Sequence, residues 1–412
     1  MSCKIPELRQ RMKEEIYKKI DLSREVPDEE IEDIIDECIL RKTRSIYISL
    51  EEKRRLKQEL FYSIRKLDLL QELVDDSDIT EIMVNGTENI FIERKGTLFC
   101  WEYRFESKEK LLDVIQQIVA KSNRVVNEAS PIVDARLENG SRVNVVLSPV
   151  ALNGPILTIR RFPDKPIDMT DLIKLGTVSL EVSKFLEKLV KAGYNIFISG
   201  GTGSGKTTFL NALSNYIPGD ERVITIEDSA ELQLQGISNL VRMETRNANM
   251  EGCREITIRD LIKSSLRMRP DRVIVGEVRD SAAVDLMSAF LTGHDGSLST
   301  GHANSAADMI SRLETMVLMG MEIPLPAIRR QIASAIDIII HLGRMRDKSR
   351  KVLEIVEVLD YKDGEISLAP LFLFEETECR SEKVEGVLNR KNTLKHIEKL
   401  LKEGIPIDEG EL

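Results

Sequence analysis

No stretch of this 412-residue sequence approaches the ~18 consecutive apolar residues that would cross a bilayer. The opening MSCKIPELRQRMKEE also lacks the apolar centre of a signal peptide, so a cytoplasmic protein is expected. Cysteine is sparse and scattered. The five residues Cys3, Cys38, Cys100, Cys253 and Cys379 are odd in number and never spaced CxxC, which argues against a disulfide framework or a zinc module. With 13 prolines and 23 glycines the chain is neither collagen-like nor disordered. It also lacks an excess of positive charge: 59 Lys and Arg against 69 Asp and Glu give a net charge of −10, which excludes a whole-surface grip on nucleic acid. No internal repeat at solenoid periods is visible. What remains is a chain that is 42% hydrophobic and long enough for two or three domains.

Hydrophobic periodicity divides it. From residue 27 to about 70 the spacing is helical, with one stripe of Ile31, Ile34, Ile35, Cys38 and Ile39 and another of Leu56, Leu60, Phe61, Ile64 and Leu67. Pro27 suits a first helical turn, and Asp28, Glu29 and Glu30 complement its positive end. From Ile79 to Phe162 the period changes to two, in the runs EIMVN, NIFIER, TLFCWEY, RVNVVLS and ILTIRRF. Asn85-Gly86, Lys95-Gly96 and Asn139-Gly140 break them, and Asn-Gly between alternating runs signals a hairpin. With one helix expected over Lys108–Ala120, this is a small α+β domain. The stretch PDKPIDMTDLIKLGTVS, with Pro163 and Pro166, reads as a linker. Beyond Leu180, helices alternate with short, nearly continuous apolar strands, the pattern of a parallel sheet covered on both faces. The expected divisions are 1–74 helical, 75–163 α+β, 164–178 linker and 179–412 α/β with a C-terminal extension.

Directly after the strand YNIFIS stands GGTGSGKTT, which fits G-x-x-x-x-G-K-[ST]. Gly200, Gly201, Thr202, Gly203, Ser204 and Gly205 would turn backbone N–H groups inward around a phosphate, and the helix starting near Lys206 adds its positive end. Lys206 is placed to reach the β- and γ-phosphates of a nucleoside triphosphate such as ATP, Thr207 to ligate Mg²⁺, and Thr208 completes the loop. RVIVGEVRD ends an apolar strand at Glu277, which can orient or deprotonate an attacking water. In VITIEDSAEL, the carboxylates Glu227, Asp228 and Glu231 gather at another strand end, where they would hold Mg²⁺ through water or anchor arginines. His294 and His302 both follow glycine in TGHDGSLSTGHANS.

In order, GGTGSGKTT, VITIEDSAEL, RPDRVIVGEVRD and TGHDGSLSTGHANS resemble the Walker A, Asp box, atypical Walker B and His box of the type II and type IV secretion ATPases. The resemblance runs from about Ile79 to about Leu342, and PIVDARLENGSRVNVV with TIRRF is most similar to the CpaF-type ATPases of Flp (Tad) pilus assembly. It implies a RecA-like P-loop domain preceded by a PAS-like α+β domain and N-terminal helices. It also implies ATP as substrate with Mg²⁺, and catalytic roles for Glu277, Glu227 and His302, with Asp228 as a metal ligand. Arginines of the N-terminal domain would reach the γ-phosphate, the candidates being Arg142, Arg160 and Arg161. Arg279 and Arg312 are secondary candidates. The resemblance further implies a homohexameric ring, peripheral at the inner membrane through platform proteins, with no direct nucleic-acid contact and with pilus assembly or conjugation-type secretion as the work done. A nucleic-acid translocase and a nucleotide-gated regulator that does not turn ATP over are the rival classes. The acidity and the His box oppose the first, and Glu277 beside Lys206 opposes the second.

Overall fold

The computed structural model describes residues 5–20, 24, 26–43, 48–94, 96–122, 124–161, 165–246, 254–377 and 383–406. Cys3, Lys95, Phe162, Pro163, Cys253 and Cys379 lie outside them. Two compact units emerge, Met1–Asp164 and Lys165–Leu412.

The first unit opens with helices α1 (Ile5–Lys19), α2 (Asp28–Lys42) and α3 (Leu50–Arg65), followed by a short α4 (Leu70–Asp75). The two expected stripes bury one another. Ile31, Ile35, Cys38, Leu56 and Leu60 form one core with Met12 and Ile16 of α1. Pro27 sits one position earlier than expected, as the N-cap of α2. Ser49 and Glu52 make a reciprocal capping box that starts α3. Next come β1 (Ile79–Asn85), β2 (Asn89–Arg94), β3 (Thr97–Trp101), α5 (Lys108–Lys121), β4 (Ile132–Arg136), β5 (Arg142–Val146) and β6 (Ile156–Arg160). They form an antiparallel sheet in the order β3-β2-β1-β6-β5-β4. Ile82, Val84, Val143, Val145, Leu157 and Ile159 point to one face and pack against Leu111, Ile115 and Ile118 of α5. The edge strand β4 goes unread in the sequence, because Asp134 and Ala135 in IVDAR weaken its β signal.

The second unit contains α6 (Met169–Lys174), α7 (Leu180–Lys191), β7 (Ile196–Gly200), α8 (Lys206–Ser214), β8 (Arg222–Glu227), β9 (Asn239–Glu244), α9 (Ile258–Ser265), β10 (Arg272–Val275) and α10 (Ala282–Leu291). It continues with β11 (Leu298–Gly301), α11 (Ala306–Gly320), α12 (Leu325–Ala335), β12 (Ile338–Arg344), β13 (Arg350–Lys362), β14 (Glu365–Glu376), β15 (Gly386–Arg390) and α13 (Glu398–Lys402). The nine-stranded sheet runs β15-β14-β13-β12-β7-β11-β10-β8-β9. From β12 to β9 its neighbours are parallel, whereas β13, β14 and β15 are added antiparallel. Successive residues of the central strands enter opposite cores. Ile196, Ile198 and Ile340 meet α7 and α8, while Phe197, Ile224 and Ile339 meet α10, α11 and α12. That two-sided burial is the reason these strands read as unbroken apolar runs.

One expectation changes here. The proposed linker is not loose: within it α6 is capped by Asp168, and Met169, Leu172 and Val178 are buried in the second unit's core. Its Met169-xx-Leu172 spacing is too short for a period to show. The charged C-terminal end carries a strand, β15, before its short helix. Among the described residues no helix is long and apolar enough to span a membrane.

Of the hairpin glycines, Gly86 adopts φ +70°, and a Cβ there would lie 2.6 Å from the Asn153 carbonyl oxygen, whereas Gly140 at φ +86° faces open space. Gly140→Ala should therefore cost about 1 kcal/mol through backbone strain alone, and Gly86→Ala about 2–4 kcal/mol, read from urea denaturation midpoints.

Candidate functional site

β7 delivers the chain into the glycine-rich loop, and Gly205, left-handed at φ +91°, starts α8 without any side-chain cap. The first amides of that helix are thus left to an outside acceptor. Within the loop Ser204 is buried and its Oγ has no hydrogen-bond partner. Lys206 is only 7% exposed. Its Nζ donates to the carbonyl oxygens of Gly200 and Gly201, each at 3.1 Å, and stands 3.3 Å from His302 Nδ1. An ammonium has no lone pair, so Nδ1 must accept, and the ring proton is thereby assigned to Nε2. Nε2 lies 3.0 Å from Glu277 Oε1, while Arg279 Nη2 donates to Glu277 Oε2 at 2.8 Å. Lys206, His302, Glu277 and Arg279 thus stand in succession at the mouth of the loop, the His302–Glu277 step being a close contact without hydrogen-bond geometry.

Burial sets the titration of these groups. It lowers Lys206, against the attraction of Glu277. His302 is lowered by burial and by the Lys206 charge, so its neutral form is favoured. For Glu277 burial acts upward, but the hydrogen bond and charge of Arg279, with His302 and Lys206, hold it below the usual glutamate range. Glu277 is therefore ionised at neutral pH.

The acidic segment after β8 divides. Glu227 is 3% exposed, and its Oε1 accepts from the backbone N–H of Glu231 and of Leu232, both at 2.9 Å. Burial raises it to about 7, against those two bonds and the charge of Arg242. A Cβ at Gly276 would stand 2.9 Å from Glu227 Cγ, so glycine before Glu277 leaves room for this carboxyl. Glu227 therefore ties the Asp-box loop to the sheet. Asp228 is exposed, and with Glu231 it acts electrostatically on Arg279. Among the described residues no group of three or more His, Cys, Asp or Glu side chains could cage a metal. Mg²⁺ fits such a site, since it binds through one or two protein oxygens, phosphate and water.

His294 is separate from this group; its Nδ1 donates to the Ala289 carbonyl at 3.1 Å, at the end of α10. Behind the loop, Ser199 Oγ lies 2.9 Å from Nδ1 of the buried His341, a pairing the sequence reading misses although a histidine inside IDIIIHL marks it.

The three arginine candidates belong to the first unit. Arg160 and Arg142 stand directly opposite on β6 and β5, and Arg136 of β4 extends the row. Arg160 faces Glu81 of β1, and Arg142 lies 3.7 Å from Asp134. Arg161 leaves the strand and donates to the Asp76 carbonyl, which ties it to its own unit.

The family described as "Type II/IV secretion system protein" matches residues 64–400. A putative conjugal transfer protein of Mycobacterium tuberculosis is 32% identical over 304 residues, covering 72% of this chain and 86% of its own. The type IV secretion system protein VirB11 of Brucella suis is 30% identical over 307 residues, covering 67% and 84%. Among solved structures, the ATPase DotB of Legionella pneumophila superposes with a TM-score of 0.51 at 21% identity, over 72% of this chain and 80% of that one. It shares the fold.

The raised Glu227 has a consequence for stability. Its folded pKa lies above the unfolded one, so the folded state loses stability as pH rises from about 4.5 to about 7 and stays lower above that. Glu227→Gln keeps an acceptor for the two amides. It should be more stable than wild type by about 1–3 kcal/mol at pH 8 and about equal at pH 4.5, in denaturant titrations at both pH values.

Proposed function

The chain belongs to the type II/IV secretion system protein family, and from that premise we propose that it is an ATP-hydrolysing motor that powers transfer through a cell-envelope secretion system. The carrying observation is the succession Lys206–His302–Glu277–Arg279 at the mouth of an uncapped phosphate loop. ATP would draw Lys206 from the Gly200 and Gly201 carbonyls onto its β- and γ-phosphates. The α8 amides and Ser204 Oγ would complete the cradle. Ionised Glu277 orients the attacking water and receives its proton, with Arg279 fixing Oε2 and with Oε1, which accepts no hydrogen bond, open to the water beside His302. Mg²⁺, held by Thr207 with water linking it to Asp228, would neutralise charge on the phosphates. Glu227 acts indirectly, through the loop it anchors.

Of the arginines, Arg160 and Arg142 fit the γ-phosphate role best. They stand opposite one another on the face of the sheet that has no core, each with one carboxylate neighbour, Glu81 for Arg160 and Asp134 for Arg142. Arg161 serves the architecture of its own unit. Bringing two separately cored units onto one nucleotide would turn hydrolysis into domain movement, and a homohexameric ring attached through inner-membrane platform proteins would transmit it. Such a motor works on the cytoplasmic side of the membrane. The conjugal-transfer and type IV secretion names of the relatives favour conjugation-type secretion as the task. Flp (Tad) pilus assembly, suggested by PIVDARLENGSRVNVV and TIRRF, has no counterpart among the relatives named above.

Lys206→Ala should abolish ATP binding. Glu277→Gln should keep binding but lower phosphate release by a factor on the order of 10² to 10⁴; release at the wild-type rate would remove Glu277 from the chemistry. Arg160→Ala should reduce turnover by about 10- to 10³-fold with ADP affinity unchanged, because ADP lacks the contacted group. Equal weakening of ATP and ADP would instead assign Arg160 a structural role.

A further inference from the structure

The strand order sets which strands flank the glycine-rich loop on each side. Glu277 follows β10 and His302 follows β11, and both strands stand on the same side of β7. On the other side stand β12 and then β13. A polyphosphate gripped by the loop after β7, with its terminal group at Glu277, therefore runs back across the loop, and its nucleoside end emerges over the end of β12. Because β12 is parallel to β7, with Leu342 in register with Gly200, that end lies level with the loop.

Two arginines occupy this place. Arg344 closes β12, Arg350 opens β13, and the two are direct partners in register. Arg350 Nε donates to the Gly203 carbonyl at 3.3 Å, and its Cγ would be 3.7 Å from a Cβ on Gly205. Arg344 Nη1 would be 3.8 Å from a Cβ on Gly203. Arg344 is exposed and has no ion-pair partner among the described residues, whereas Arg346 of the same hairpin is paired with Glu376. Like charges set directly opposite cost stability. Here one is braced on the loop and the other is left open beside it.

We propose that Arg344 is the nucleoside contact of the site, its planar guanidinium lying against the base of a purine nucleotide, and that Arg350 positions it by anchoring the hairpin on the phosphate loop. The assignment rests on the ATPase reading and deepens it. A guanidinium offers a flat, weakly hydrated cation that stacks on aromatic faces, which an ammonium does not. None of the four motifs contains either residue, so the β12–β13 hairpin is a second, independent part of the nucleotide site.

ADP and inorganic pyrophosphate differ by adenosine alone, so calorimetric titration of the full-length protein with each, in the presence of Mg²⁺, separates the two ends of the ligand. Arg344→Ala should weaken ADP on the order of 10-fold and leave pyrophosphate unchanged, and Arg344→Lys should not restore ADP. Unchanged ADP affinity would overturn the proposal. So would an equal loss for pyrophosphate, which would make Arg344 a phosphate contact, or full rescue by lysine, which would make charge rather than planarity the cause. If the wild type bound neither ligand while Lys206→Ala behaved identically, the ATPase reading itself would fall, and this inference with it.

Discussion

Burying the Lys206 ammonium at the end of β7 is the constraint from which the rest of the site follows, because a cation removed from water costs several kcal/mol unless acceptors and opposite charge surround it. The Gly200 and Gly201 carbonyls supply the acceptors, and Glu277, reached through His302, supplies the charge. Each group then constrains the next. Lys206 fixes the tautomer of His302, Nε2 of that ring lies 3.0 Å from Glu277 Oε1 without hydrogen-bond geometry, and Arg279 donates to the other carboxylate oxygen. An arriving phosphate would replace the carbonyls as partner of the ammonium. Binding would thus rearrange an existing charge network instead of creating one.

The sheet makes this network possible by bringing its members to one edge. Lys206, Glu277, His302 and Arg279 come from beyond the carboxyl ends of the parallel strands β7, β10 and β11, the side on which α/β sheets receive ligands, and Glu227 closes β8 beside them. Two cores, one on each face, hold those ends in place. Gly276 lets β10 pass close to the Glu227 carboxyl, so the acidic loop and the loop carrying Glu277 are packed as one piece. The first unit follows a different logic: one face of its antiparallel sheet is core, and the other carries Glu81, Arg160, Arg142 and Arg136 in a single cross-strand row. That face concentrates charge where no core demands it.

Most of the elements were legible because their signals are local. The Asn85-Gly86 and Asn139-Gly140 turns, the 3.6-residue stripe of α5 and the apolar runs of β7, β8 and β10 each depend on residues a few positions apart. The glycine-rich loop between β7 and α8 was legible for the same reason, since Gly205, Lys206 and Thr207 are adjacent in the chain. Reading failed where the signal was diluted or short: β4, with Asp134 and Ala135; α6, whose buried residues are only Met169 and Leu172; and β15, set in charged surroundings.

The sequence alone determined the class of the second unit and the place of the glycine-rich loop, because strand context and local spacing carry that information, and the order of the four motifs, read through their resemblance, put Glu277 and His302 beside it. Tertiary structure decided how the candidates divide. Arg160 and Arg161 are neighbours in the chain, yet the pleat leaves one facing Arg142 and lets the other turn to the Asp76 carbonyl. Glu227 and Asp228 are likewise adjacent, but the end of β8 buries the first against Gly276 and exposes the second. Arg344 and Arg350, more than 130 residues beyond the loop, reach it only because β12 pairs with β7. Side-chain direction and strand order are properties of the folded sheet, and no local pattern encodes them.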